Sequence, residues 1–160
     1  RSRGRLHHAW LLTGPEGVGK ATFAYRAARR LLGAPADPAH GRLGASPDHP
    51  VSRQVIARSH PDLFVLERLG DDGKVRKVIP VEEVRGLPEF FSKSPASAPH
   101  RVAVVDAVDF LNDYGANALL KILDFQSPAR PFKPGESTRP LTVWSCVRPS
   151  HPNGWSSALW

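Results

Sequence analysis

The chain has 160 residues, 41% of them hydrophobic and 23% charged, which suits one globular domain and excludes a disordered or low-complexity chain. The net charge of +7 points weakly to a polyanion, but Arg1, Arg3 and Arg5 open the chain and residues 125–160 add four basic residues against one acid, Glu136, so a solvated surface is the simpler reading. The single cysteine, Cys146, excludes an intrachain disulfide and a cysteine-rich zinc site, and no apolar run nears the roughly 20 residues of a membrane span, so a cytoplasmic protein without membrane contact is expected.

The first predicted element is the short apolar run 8–13, His-Ala-Trp-Leu-Leu-Thr, which suits a buried parallel strand. From Lys20, apolar positions at Phe23, Ala24, Ala27, Ala28, Leu31 and Leu32 recur at helical spacing, with Arg26, Arg29 and Arg30 between them and Gly33 as a stop. Residues 34–60 are rich in Pro, Gly, Ala and Ser and read as irregular, with one helical turn at Val51 to Ala57. A second strand is expected over Asp62–Glu67, followed by a Gly70-Asp71-Asp72-Gly73 turn and a hairpin return through Arg76–Ile79.

Pro80 opens a helix with Glu82 and Glu83 in its first turn, and Pro88 is a defect within it. Arg101–Asp106 is the clearest strand, followed by a helix marked by Ala116, Leu119, Leu120 and Leu123 and capped by Asn112 or Asp113. Strands alternating with helices predict an α/β fold with a mostly parallel sheet. After Asp124 the character changes. Residues 125–160 hold six prolines and three of the four tryptophans, with Leu141–Cys146 as the one strand-like run.

The stretch between the first strand and helix carries the chemistry. Gly14-Pro15-Glu16-Gly17-Val18-Gly19-Lys20 fits the G-x-x-x-x-G-K pattern in the context a phosphate-binding loop requires. In such a loop backbone N–H groups face phosphate oxygens, glycines keep that approach clear, and the lysine reaches the outer phosphates at a helix N-terminus. The next residue, where a hydroxyl normally ligates Mg²⁺, is Ala21. Thr22 lies one residue on, about 100° around the helix, where it can touch an inner phosphate but not replace that ligand. Asp106 stands where the second acid of a nucleotide site belongs, unless it only caps a strand end. The residue after it, where hydrolytic enzymes of this class usually carry Glu, is Ala107. ATP binding, weak or vestigial, is therefore expected at Gly14 to Thr22 with Asp106. Efficient hydrolysis is not. His7, His8 and His60 match no metal-ligand spacing and are read as structural.

Several segments in this order resemble one family: His8–Gly14 leading into the loop, Ser59-His60-Pro61-Asp62-Leu63, Ile79–Arg85, Arg101–Asp106, and Ala116-Asn117-Ala118-Leu119-Leu120-Lys121-Ile122-Leu123. Together they look like delta prime subunits of bacterial DNA polymerase III, clamp-loader proteins of the AAA+ class. The resemblance covers residues 5–124, most of the first domain of such a subunit. It implies a RecA-like P-loop fold, incomplete at its C-terminus, and assembly beside tau/gamma and delta subunits to load the sliding clamp onto primed DNA. It also implies membership of a DNA-directed DNA polymerase holoenzyme, in a subunit that is often weak or inactive as an ATPase. Many relatives carry a four-cysteine zinc module after the first helix. Residues 34–58 contain no cysteine, so no zinc is expected.

The resemblance fails after residue 124. Asp124-Phe125-Gln126-Ser127 stands where the family has an acidic-proline segment, and no Ser-Arg-Cys motif follows, since Ser145-Cys146 and Arg148 do not form it. Residues 1–124 are thus read as a partial AAA+ domain and 125–160 as an aberrant or divergent tail. A frameshift is the favoured origin. The alternative is a divergent insertion, with Leu141–Cys146 supplying the next sheet strand. The start at Arg1 and the lack of Met read as a fragment. Two other functions stay open: an active P-loop ATPase using Lys20, Thr22 and Asp106, and a non-functional truncated fragment.

Overall fold

A computed structural model describes residues 9–70, 72–106, 108–125 and 141–147. Expectations placed on His7, His8, Asp71, Ala107 and Arg148, and on the rest of residues 126–140 and 148–160, lie outside the described residues. Four strands form one parallel sheet: β1 (Ala9–Thr13), β2 (Leu63–Glu67), β3 (Arg101–Asp106) and β4 (Leu141–Val147), in the spatial order β1-β4-β3-β2. Four helices accompany them: α1 (Lys20–Leu31), α2 (Pro50–Ile56), α3 (Val81–Ser92) and α4 (Asp113–Phe125).

Two apolar clusters flank the sheet. Alternation along β3 sends Val102 and Val104 toward Ala24, Ala27, Ala28 and Leu32 of the α1 side. Ala103 and Val105 meet Val84, Leu87, Leu119 and Ile122 of α3 and α4. All four β3 residues are fully buried, which is why a near-continuous apolar run was the right signal there. The same signal misleads for β1. Its one strand neighbour among the described residues is β4, and Trp10 and Leu11 remain 39% and 42% exposed. The run Leu141–Val147 enters the sheet centrally, pairing with Ala9–Thr13 on one side and with Arg101–Asp106 on the other.

Helix ends follow local chemistry. Beyond α1, Gly33 takes φ 105°, and the amides of Gly33 and Ala34 donate to Arg30 and Arg29, a Schellman closure. Arg30 also donates to the Ala34 carbonyl, so the basic stripe of α1 partly serves its own C-terminus. Asn112 Oδ1 accepts from the Gly115 amide at 2.8 Å, fixing it as the cap of α4. Helix α3 runs unbroken through Pro88, which has no N–H to return to the Val84 carbonyl, and Val84 and Leu87 just ahead of it are fully buried.

The expected hairpin over 70–79 contracts to one antiparallel bridge, Leu69 with Val75. The chain then turns away because Ile79, fully buried, donates its amide to Phe110 and bridges in parallel to Leu111. In residues 37–44, within the cysteine-free stretch that follows α1, backbone bonds close a tight loop. Asp37 donates to Gly44, and Gly44 donates to Gly41. A Cβ on Gly44 would lie 2.4 Å from the His40 carbonyl carbon.

The Ser-His-Pro-Asp motif proves architectural. Asp62 is fully buried and accepts from the amides of Ala96, Ser97 and Ala98 at 2.7, 2.8 and 3.0 Å, with Arg101 Nε 3.5 Å away. His60 Nδ1 accepts from the Asp62 amide at 3.1 Å. Together they tie the loop between α3 and β3 to the start of β2.

Candidate nucleotide site

All four strands run parallel, so Thr13, Val147, Asp106 and Glu67 end at one edge of the sheet. Ligands of open parallel sheets bind at that edge. The loop 14–19 leaves β1 there and feeds α1. Gly17 and Gly19 take φ 81° and 93°, values at which side chains are strained, and a Cβ at either would meet nothing within 4 Å. Conformation therefore demands these glycines, and the space beside them is open for an anion. At Gly14, φ is 148° and a Cβ would touch Val18 Cγ1 at 3.4 Å. Pro15, Glu16 and Val18 are exposed on the outside of the loop.

Gly19 is the N-cap of α1 and offers no side chain to the first-turn amides, which also have no acid among them. These donors and the positive end of the helix dipole form an anion-favouring terminus. Lys20, half-buried, donates through Nζ to the Gly14 carbonyl at 2.8 Å and to the Pro15 carbonyl at 2.7 Å. An ammonium carries three donors, so one remains for a ligand. The residues fit a phosphate chain. They do not fit its usual Mg²⁺: Ala21 brings no oxygen, and Thr22 stands exposed on a neighbouring face of the helix.

Asp106 is placed at the end of β3 as expected, partly buried. It ends the same sheet edge as the loop, with β4 between β1 and β3, a backbone separation of about 10 Å at normal strand spacing. Its Cα partners are Glu67 on β2 and Cys146 on β4.

Glu67 was legible only as the last residue of a strand, and its pairing with Asp106 required the register. Arg58 donates to Glu67 Oε1. Burial pushes the Glu67 carboxyl up; Arg58 opposes this, Asp106 adds to it, and the net direction is upward. Tyr25, on α1, reaches the same group. Burial is the main cause of its rise to about 12, with Arg58 pulling the other way and the carboxylates of Glu67 and Asp106 reinforcing it. Arg58 itself sits at φ 55°, the left-handed position just past α2. Among the described residues, no group of three or more His, Cys, Asp or Glu side chains is placed to hold a metal ion, and no helix is long and apolar enough to cross a membrane.

The family model described as DNA polymerase III, delta subunit, matches residues 1–128. The DNA polymerase III subunit gamma of Buchnera aphidicola subsp. Acyrthosiphon pisum is 33% identical over 123 residues, covering 77% of this chain and 31% of that protein. The subunit delta' of Pseudomonas aeruginosa is 34% identical over 123 residues, covering 76% and 35%. The subunit tau of Escherichia coli is 30% identical over 126 residues, covering 77% and 17%. The chain thus spans about a third or less of the length of these relatives. A solved gamma subunit-related protein of Thermotoga maritima superposes with a TM-score of 0.53 at 13% identity, over 88% of this chain and 34% of that one, a likeness of fold. The fold is the α/β P-loop type of AAA+ proteins, and the chain belongs to the DNA polymerase III delta-subunit family.

Proposed function

We propose that this chain is the nucleotide-binding-type domain of a delta prime subunit, working in the clamp loader of bacterial DNA polymerase III with little or no ATP hydrolysis of its own. Identity alone does not choose among the subunits, since gamma and delta' relatives score 33% and 34%. The observation that carries the choice is Ala21: the loop keeps its glycines and Lys20, while the position next to the lysine has no metal-binding oxygen. Without that ligand and without a glutamate after Asp106, attacking water and the outer phosphate lack their usual organisers. ATP bound at Gly14–Thr22 serves shape rather than turnover.

On this reading the partners are tau/gamma and delta subunits, with the sliding clamp and primed DNA reached through the assembly, in the cytoplasm. Residues 1–124 form the core of the nucleotide-type domain, and residues 125–160 are an aberrant or divergent tail for which a frameshift is the favoured origin. Mixing the purified chain with tau/gamma and delta from a related bacterium, followed by size-exclusion chromatography, tests the assignment. Co-elution in a stoichiometric complex is expected. Failure to co-elute, with the chain folded by circular dichroism, counts against it. The rival reading, an active ATPase using Lys20, Thr22 and Asp106, has no support from the exposed position of Thr22.

A further inference from the structure

The short ribbon that follows β2 is patterned inside out. The Arg76 amide donates to the Arg68 carbonyl at 2.8 Å and the Gly70 amide to the Lys74 carbonyl at 2.9 Å, on either side of the Leu69–Val75 bridge. Residues directly opposite in an antiparallel pair share a face, and their neighbours in sequence point to the other. The face toward the molecule carries the cations. Arg68 lies over the Phe110 ring, 3.7 Å from its centroid, and Arg76 pairs with Glu83 at 2.6 Å. The face toward solvent carries the apolar pair, with Leu69 41% and Val75 66% exposed. A ribbon on the surface of a domain ordinarily does the reverse. Shifting the register by one residue would turn Leu69 and Val75 inward only by expelling both arginines from their partners, so the anchors fix the exposure.

The edge of the ribbon is open as well. The two backbone bonds flank the Leu69–Val75 pair and none joins it, which makes it the non-hydrogen-bonded kind. The Val75 N–H and C=O therefore point away from Leu69, out of the ribbon, and among the described residues neither has a partner. An edge of this kind is a template for another strand. The rim sets the charge of what can lie there. Lys74 and Lys77 are exposed on either side of Val75. The nearby acid, Asp72, accepts from the Lys74 amide at 3.1 Å and stands 4.0 Å from the Lys74 ammonium, so it is engaged within the turn.

We propose that Val75 and its flanking residues form a docking edge for an extended segment of another protein in which apolar side chains alternate with carboxylates. The segment adds as a strand to the Val75 backbone, lays an apolar side chain across Val75 and Leu69, and brings its acids to Lys74 and Lys77. A second copy of this chain does not suit the edge: twofold pairing about Val75 sets Lys74 opposite Arg76 of the copy, like charges across the new ladder. A nucleic acid does not suit it either, because Leu69 and Val75 offer no ring on which a base can stack. The proposal stands apart from the nucleotide reading given above.

The test is an amide-resolved NMR titration of the full chain with the peptide Asp-Val-Glu-Val-Asp, beside Lys-Val-Lys-Val-Lys and oligothymidine. With the acidic peptide, saturable shifts centred on Leu69 to Lys77 and slower amide exchange at Val75 are expected. The basic peptide is expected to bind at least about tenfold more weakly. Leu69→Ser combined with Val75→Thr, both at exposed positions, is expected to keep the melting temperature within about 2 °C and to weaken the acidic peptide at least about tenfold. Lys77→Glu, which leaves the apolar pair in place, is expected to weaken it as well, and to favour the basic peptide. No shift at Val75 up to about 1 mM acidic peptide, equal affinity for the two peptides, or unchanged binding in the variants overturns the proposal. Oligothymidine shifting the same amides at lower concentration than the acidic peptide also overturns it, and assigns the ribbon to nucleic acid.

Discussion

At the scale of single residues, Asp62 is the most exposed to attack by substitution, because three backbone amides converge on its buried carboxylate. Asp62→Asn should cost about 3 kcal/mol, the size of losing charge-assisted bonds while leaving a donor misplaced among donors. Urea unfolding measures it, and a loss below about 0.5 kcal/mol, the range of an ordinary surface substitution, would refute the role. The same residue sets an acid limit. Burial pushes the Asp62 carboxyl up, but the amides of Ser97, Ala96 and Ala98 and the charge of Arg101 outweigh it and hold the value low. Burial likewise lowers His60. Both groups have folded values below their unfolded ones. Their stabilisation is present above the unfolded values and is lost as pH falls through the folded ones. Melting temperature should drop on acidification, and Asp62→Asn should flatten that drop.

Tyr25 acts in the opposite direction. Its folded value is raised, so the stability it contributes is complete below about 10 and lost as pH rises toward about 12. An ultraviolet titration should show a tyrosinate step near 12 that Tyr25→Phe removes. Neither effect could be read from the sequence. Asp62 was visible as the acid of a His-Pro-Asp motif, but its partners lie 34 to 36 residues away, and Tyr25 was one more residue on a helix until the strand ends gathered around it.

At the scale of elements, periodicity and punctuation identified α1, α3, β2, β3 and α4 because each has a buried stripe or run bounded by a clear stop. They left open what pairing decides. The turn at 70–73 has strong hairpin chemistry, yet burying Ile79 and bonding it to Phe110 outweighs a longer ladder. Leu141–Val147 sits in a proline-rich, aperiodic context, so its place between β1 and β3 depends on long-range pairing that no local pattern encodes. Val143→Pro tests that strand. Proline removes a ladder donor in the middle of a sheet, and a loss of at least about 3 kcal/mol is expected by thermal unfolding. A silent substitution would show that the tail is not integral to the sheet. The 37–44 loop gives a milder case: a methyl at Gly44 must push aside backbone of His40 and Asp37, so Gly44→Ala should cost about 1–3 kcal/mol.

At the scale of the whole molecule, the candidate site was half legible. Gly14 to Thr22 could be named as a candidate because such a loop is local: its glycines, lysine and helix start are contiguous in the chain, with α1 beginning at Lys20. Asp106 could be named as a strand end, but Glu67 and Arg58 required the parallel register of β2 with β3 and the turn after α2. The assembled edge has the first-turn amides of α1 and Lys20 at one end and, at the other, Glu67 paired with Arg58 beside Asp106. The most direct measurement is ATP turnover by the purified chain with and without Mg²⁺, beside Lys20→Ala. The expected result is hydrolysis at background in every case, with equilibrium ATP binding present in the wild type and weakened at least about tenfold in Lys20→Ala, the scale of losing one charged phosphate contact. Robust Mg²⁺-dependent turnover that Lys20→Ala abolishes would contradict it and identify the chain as a motor.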